Sequence, residues 1–177
     1  MQEIYVLSIK KEYGLNLLNQ KALWEYRRKK SKIKLGDKII LYATAPNKEI
    51  IGEFIVGGIV TGNPKEIWEK TKEEVCYQRD EVISYLESGD FPIAFKVTKP
   101  KKYLRAISLS EISFFRPPMS YCKASSQLIS KIRDVTRHSS REFIEMCNPS
   151  IGINYSQIDN SFGMGILPSF SKDRHKR

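Results

Sequence analysis

The spacing of apolar positions changes several times along this chain, and each change marks an element. Glu3 to Ile9 sets Ile4, Val6 and Ser8 against Tyr5, Leu7 and Ile9. Both faces are largely apolar, which predicts a central, buried strand. Lys10 to Asn19 carries Tyr13, Leu17 and Leu18 at helical spacing, a short helix with one buried stripe. From Trp24 to Arg28 rings alternate with charges, the period of a strand with one buried face. On that reading Trp24 and Tyr26 point inward, and Glu25 and Arg27 form an outward, mostly cationic face. Lys34-Leu35-Gly36-Asp37 is a turn into a strand from Lys38 to Thr44. Ala45-Pro46-Asn47 breaks the chain before a long strand, Glu49 to Thr61. Gly57-Gly58 in its middle predicts a bulge, as a small barrel needs at its corners.

Asn63-Pro64-Lys65-Glu66 is a helix start, with Asn as cap, Pro at the first position and Glu at the third. Ile67 and Trp68 follow as buried residues. A second helix, about Gln78 to Leu86, buries Val82, Ile83 and Leu86. Both helices are acidic and are expected to face away from any polyanion. Phe91 to Leu104 returns to strand, with Ile93, Phe95 and Val97 inward and Pro100 as a break. Ser108 to Ile112 is at most a helical turn, and Phe115-Arg116-Pro117-Pro118 is an extended crossing segment. Beyond Cys122 the character changes. Ala124 to Arg137 is an amphipathic helix through Leu128, Ile132 and Val135. Ser139-Ser140-Arg141-Glu142 reads as a capping box for a further helix through Met146. The elements form an α+β domain over 1–122, a helical extension over 123–147 and an irregular basic tail over 148–177. The extension is expected to dock its apolar stripe on the domain of its own chain.

Composition narrows the classes. A chain of 177 residues with 41% hydrophobic and 11% aromatic content can bury a single core, which excludes global disorder. No apolar run approaches the ~20 residues that cross a bilayer, so no membrane partner is expected. The first residues show no charged leader, and Cys76, Cys122 and Cys147 are too dispersed for a zinc site or disulfide framework. A reducing cytoplasm is the expected setting. His138 and His175 are isolated, so neither metal nor cofactor is expected. The net charge is +10, and it is unevenly spread. Residues 21–38 hold eight Lys or Arg and two acids, whereas 49–90 hold four basic residues and ten acids. A concentrated cationic patch favours a nucleic-acid partner.

Several stretches occur in an order that is familiar. They are Ser8-Ile9-Lys10, Trp24-Glu25-Tyr26-Arg27-Arg28, Ile40-Leu41-Tyr42-Ala43-Thr44, Ile51-Gly52-Glu53-Phe54, Pro64 to Trp68, and Phe115-Arg116-Pro117-Pro118-Met119-Ser120-Tyr121. Together, over residues 3–122, they resemble the ASCH family, a branch of the PUA-like superfamily. The resemblance implies a small mixed β-barrel covered by helices, with a cleft associated with RNA or modified bases. The family pattern is Gly-x-Lys-x-x-Glu-x-Arg. Aligned on Glu25 and Arg27, this chain has Gln20 at the Gly position and Ala22 at the Lys position, with Lys21 one residue early. Relatives that hydrolyse acetylated cytidine depend on that Lys and on a Thr at the Glu position. Neither falls on the pattern here, so that activity is not carried over.

The candidate site residues each have a functional and a plain reading. Arg27 and Arg28 suit bidentate contact with phosphate, with Lys29 beside them; plainly, Arg27 pairs with Glu25 or Glu53. Lys21 is a phosphate ligand, an activated amine, or a solvated lysine at a helix end. Glu25 is a general base, an acceptor for a base edge, or a salt-bridge partner. Ser8, beside Lys10 at a strand-to-helix junction, receives an anion or caps the helix. Trp24 and Tyr26 read as core, whereas Tyr42 and Tyr121, near strand ends, read as stacking platforms, with Arg116 close by. The first hypothesis is a module binding RNA or another nucleic acid, with a modified nucleotide among the candidates. The second is a small hydrolase of RNA or of an acylated nucleoside, with Lys21 and Glu25 as its acid–base pair.

Overall fold

The computed structural model describes residues 2–147. Six strands and four helices follow one another in the order β1 (Ile4–Ile9), α1 (Lys11–Leu18), β2 (Trp24–Arg27), β3 (Lys38–Ala43), β4 (Glu49–Thr61), α2 (Pro64–Thr71), α3 (Arg79–Glu87), β5 (Ile93–Ser108), β6 (Tyr121–Lys123) and α4 (Ser126–Cys147). The strands form one mixed sheet in the order β2-β5-β4-β3-β1-β6, an α+β half-barrel. The β1–β3 pair is parallel and the other neighbours are antiparallel.

Curvature comes from bulges in the two long strands. Val56 pairs with Val97 and Gly58 with Lys96, which leaves Gly57 as the extra residue. A Cβ on Gly57 would collide with the Thr98 side chain, so glycine lets the strands stay close there. A second bulge sets Lys99 and Pro100 opposite Phe54, since Glu53 pairs with Lys101 and Ile55 with Thr98. Lys99 has φ +48°, and the missing Pro100 N–H costs no ladder bond at this point. Pro100 therefore bends β5 without ending it, and the strand runs on to Ser108.

The concave side of the sheet holds Leu7, Ile39, Leu41, Phe54, Val56, Phe95 and Val97, closed by Leu17 and Leu18 of α1. On the convex side Val6, Ile40, Tyr42, Ile50, Tyr103 and Ile107 meet Leu128, Ile132 and Val135 of α4. A third cluster packs Trp24 and Tyr26 against Ile67, Trp68, Val82, Ile83 and Leu86 of α2 and α3. The Trp24 indole donates to Glu74 at 2.7 Å, and the Tyr26 and Thr71 hydroxyls meet at 2.7 Å.

Three expectations change. The charged face of β2 does not look outward. Glu25 pairs with Phe95 and Arg27 with Ile93, so both share the concave face with the core, and Glu25 is buried. Rings and charges are both covered, each by a different layer. Second, α4 is one continuous helix through the Ser139 region. The Ser139 hydroxyl donates back to the Val135 carbonyl at 3.0 Å, where a cap would have pointed forward. Third, the boundary expected after residue 122 falls inside β6, and α4 completes one of the cores. The tail expected over 148–177 lies outside the described residues.

Candidate nucleic-acid interface

Strands β2 and β6 end the sheet on opposite sides, and the half-barrel is open between them. One side chain bridges this seam. Arg27 Nη1 donates to the Ser8 carbonyl at 3.1 Å and to Glu25 Oε1 at 3.3 Å. Its Nη2 donates to the Ser120 carbonyl at 3.2 Å and to Ser120 Oγ at 2.7 Å. A planar fork of donors supplies here what a strand ladder supplies elsewhere. The Ser8 amide also donates to the Ser120 carbonyl at 2.9 Å, and Ser8 Oγ to the Pro118 carbonyl at 2.6 Å. The segment before β6 is thus tied down at two successive points.

Over this bridge lies a pocket of about 290 Å³. Its floor and apolar wall come from Leu7, Ile33 and Phe95. Its polar lining comes from Ser8, Arg27, Arg28, Lys29, Ser31, Ser120 and Tyr121, and its mouth is flanked by Tyr85 and Met119. The Tyr121 hydroxyl accepts the Lys32 amide at 3.0 Å and so anchors the basic loop after β2 to β6. Arg28 Nη1 donates to Ser88 Oγ at 2.6 Å, and its guanidinium lies 5.2 Å from the centre of the Tyr85 ring. Lys29, Lys30, Lys32 and Lys34 are exposed, and no ion pair among the described residues engages them. Behind Arg27, burial pushes the Glu25 carboxyl above its ordinary range, and the guanidinium charge and hydrogen bond oppose that rise.

Of the ten candidates from sequence, Ser8, Arg27, Arg28, Lys29 and Tyr121 line this pocket. Glu25 sits behind them as the partner of Arg27, the plain reading, and Glu53 instead holds Lys38 and Tyr103. The other four stand apart. Lys10 is exposed at the start of α1, 5.8 Å from the Tyr13 ring centre. Lys21 is exposed in the turn before β2, with no ion pair or hydrogen bond to Glu25. A helical i, i+4 pairing does not form because a strand begins at Trp24. Tyr42 is buried under α4 edge-to-face with Phe115, so its ring offers no stacking surface. Arg116 is exposed but outside the lining. Sequence reasoning missed Tyr85, Ser31, Met119 and Ser120. The last two lie in the motif that carried Arg116 and Tyr121, whereas Tyr85 gave no signal. Its helix, α3, was expected to face away from a polyanion, yet through Tyr85 it forms one side of the pocket.

Residues 6–145 match a domain of unknown function, DUF365. The chain belongs to the DUF365 family. An ASCH domain-containing ribonuclease of Zymomonas mobilis is 27% identical over 119 residues, spanning 65% of this chain and 80% of its own length. The crystal structure of ASCH from Zymomonas mobilis has a TM-score of 0.68 and 24% identity, covering 75% of this chain and 95% of that one. The N-terminal domain of Staphylothermus marinus McrB has a TM-score of 0.51 and 15% identity, covering 76% and 94%. The fold of this DUF365 chain is that of an ASCH domain, PUA-like in architecture. No helix among the described residues is long and apolar enough to cross a membrane, and no group of three potential metal-binding side chains occurs among them.

Proposed function

We propose that this chain is a nucleic-acid-binding ASCH/PUA-like module that holds single-stranded RNA across the seam pocket. The observation that carries the reading is the pocket itself, a concave site with a cationic rim, continuous with a run of exposed lysines. Arg28 and Lys29 contact phosphates, the lysine loop extends that track, and the pocket receives a nucleotide, a modified one among the candidates. Arg27 and Glu25 act one layer below, where they hold the seam. Binding to a nucleic acid is consistent with the names of the relatives, one a ribonuclease. The free thiols of Cys76 and Cys122 suit a reducing cytoplasm.

Fluorescence anisotropy with a short single-stranded RNA tests this. Affinity should fall steeply with salt. In the variant Arg28→Ala with Lys29→Ala the log–log slope should flatten by about 1.4, roughly 0.7 for each phosphate no longer neutralised. A salt-independent affinity, or a double variant identical to the parent, overturns the reading. Matched DNA and modified-base strands in the same titration identify the preferred ligand.

A second reading is a hydrolase of RNA or of an acylated nucleoside, favoured by the likeness to a protein named a ribonuclease. Lys21 and Glu25 are its acid–base candidates, and they lie apart here. Labelled RNA and acetylated nucleosides are incubated with the parent and with Glu25→Gln. Turnover lost in the variant supports it, and absence of product with either substrate removes it.

A further inference from the structure

The mouth of the seam pocket carries two apolar side chains that phosphate contact does not use. Met119 is fully exposed, at 104% of its reference area, and Tyr85 is 38% exposed. They stand on opposite sides of the seam. Tyr85 belongs to α3, which packs on β2, and Met119 to the segment that leads into β6. A lone exposed methionine is ordinary on a protein surface. The backbone on either side of this one is held in place. Ser8 Oγ grips the carbonyl before it, Arg27 and the Ser8 amide grip the residue after it, and Pro117-Pro118 restricts the backbone that precedes it. Tyr85 is held as well, because Arg28 lies against its ring while bonded to Ser88 at the end of the same helix.

Resting on the reading of the pocket as a nucleic-acid site, we propose that Tyr85 and Met119 are jaws that grip one unstacked base at its mouth. The occupant follows from the chemistry of the rim. Two exposed apolar side chains from opposite sides of the pocket call for a flat partner with both faces bare. The adjoining Arg28, Lys29 and exposed lysines call for negative charge on the same molecule. An unpaired nucleotide in a single strand offers both, whereas a base inside a duplex has its faces covered. A ring backed by a guanidinium and a polarizable thioether accept any base face, so the jaws select an unstacked base rather than a particular one.

The probes are short single-stranded RNAs with 2-aminopurine placed at each position in turn, and the same strands with an abasic site there. Anisotropy across a salt series reads affinity, and quenching of 2-aminopurine reads stacking. Tyr85→Ala and Met119→Ala should each weaken binding about tenfold and abolish the quenching at one position. Their salt slopes should equal that of the parent, since no charge is removed. Tyr85→Phe should restore both signals, and the abasic strand should bind parent and alanine variants alike. Both side chains are exposed, so unchanged melting temperatures establish that the variants fold. If Tyr85→Ala and Met119→Ala bind and quench like the parent, or if every loss appears as a change in salt slope, the jaws are overturned. If the parent binds no RNA at any salt, the nucleic-acid reading falls first, and the jaws with it.

Discussion

Arg27 is the residue whose role changes most between its chemistry in isolation and its place in the chain. A guanidinium beside a cationic run suggests phosphate contact, yet its donors are engaged by Ser8, Ser120 and Glu25. Arg27→Lys keeps the charge and loses the fork, so it should cost about 1–3 kcal/mol of stability, read as a lower urea unfolding midpoint. An unchanged midpoint would mean the seam is closed by something else. Glu25 gives a second prediction. Its folded pKa is raised by burial, so the folded chain binds that proton more tightly than the unfolded chain does. The group therefore favours folding at low pH, and this contribution is lost as pH rises from the ordinary 4.5 through the folded value. In Glu25→Gln the fall in melting temperature over that window should disappear; identical profiles for parent and variant would contradict the shift. The sequence showed the alternation of Trp24, Glu25, Tyr26 and Arg27 but not which face was interior. Period alone cannot separate inside from outside when a strand lies between two packed layers.

At the level of elements, the places where sequence and structure part share one physical origin. Strand and helix periods, the Asn63 cap and the Gly57 bulge are local properties, and each was legible. The course of β5 through Pro100 and of α4 past Ser139 depends on neighbours far away in the chain. Pro100 is tolerated because Phe54 opposes two residues at a bulge, and α4 continues because its stripe lies on the convex sheet. The pocket wall made by Tyr85 was illegible for the same reason, since only tertiary packing brings α3 beside β2. The packing of α4 carries a third prediction. Leu128 is fully buried among Val6, Ile40 and Ile107. Leu128→Ala should cost about 2–5 kcal/mol, and ending the chain after Tyr121 should leave an aggregating protein. A shortened chain that stays monomeric with an unchanged melting temperature would show that α4 contributes no core.

Over the whole molecule, charge and shape are arranged together. The acids of residues 49–90 fall largely on α2, α3 and the turn between them, while the exposed lysines gather beside the seam. A polyanion approaching such a surface is turned toward the pocket before contact, and the encounter rate should fall with ionic strength. The seam has a further consequence. Along β1, β3, β4 and β5, amides are shielded by backbone ladders, but the two margins of the sheet are joined by the Arg27 fork and by the Lys32 amide on the Tyr121 hydroxyl. Opening there requires no unfolding of the core, so its amides should exchange with deuterium by a low-energy local opening. A nucleic acid that spans both margins binds the closed state and raises the cost of that opening. Mass spectrometry of exchange should show the peptides around Arg27 and Ser120 protected together upon addition of RNA, with those of β3 and β4 unchanged. Protection at one margin alone would mean that the ligand rests on a single lip and leaves the gap uncrossed.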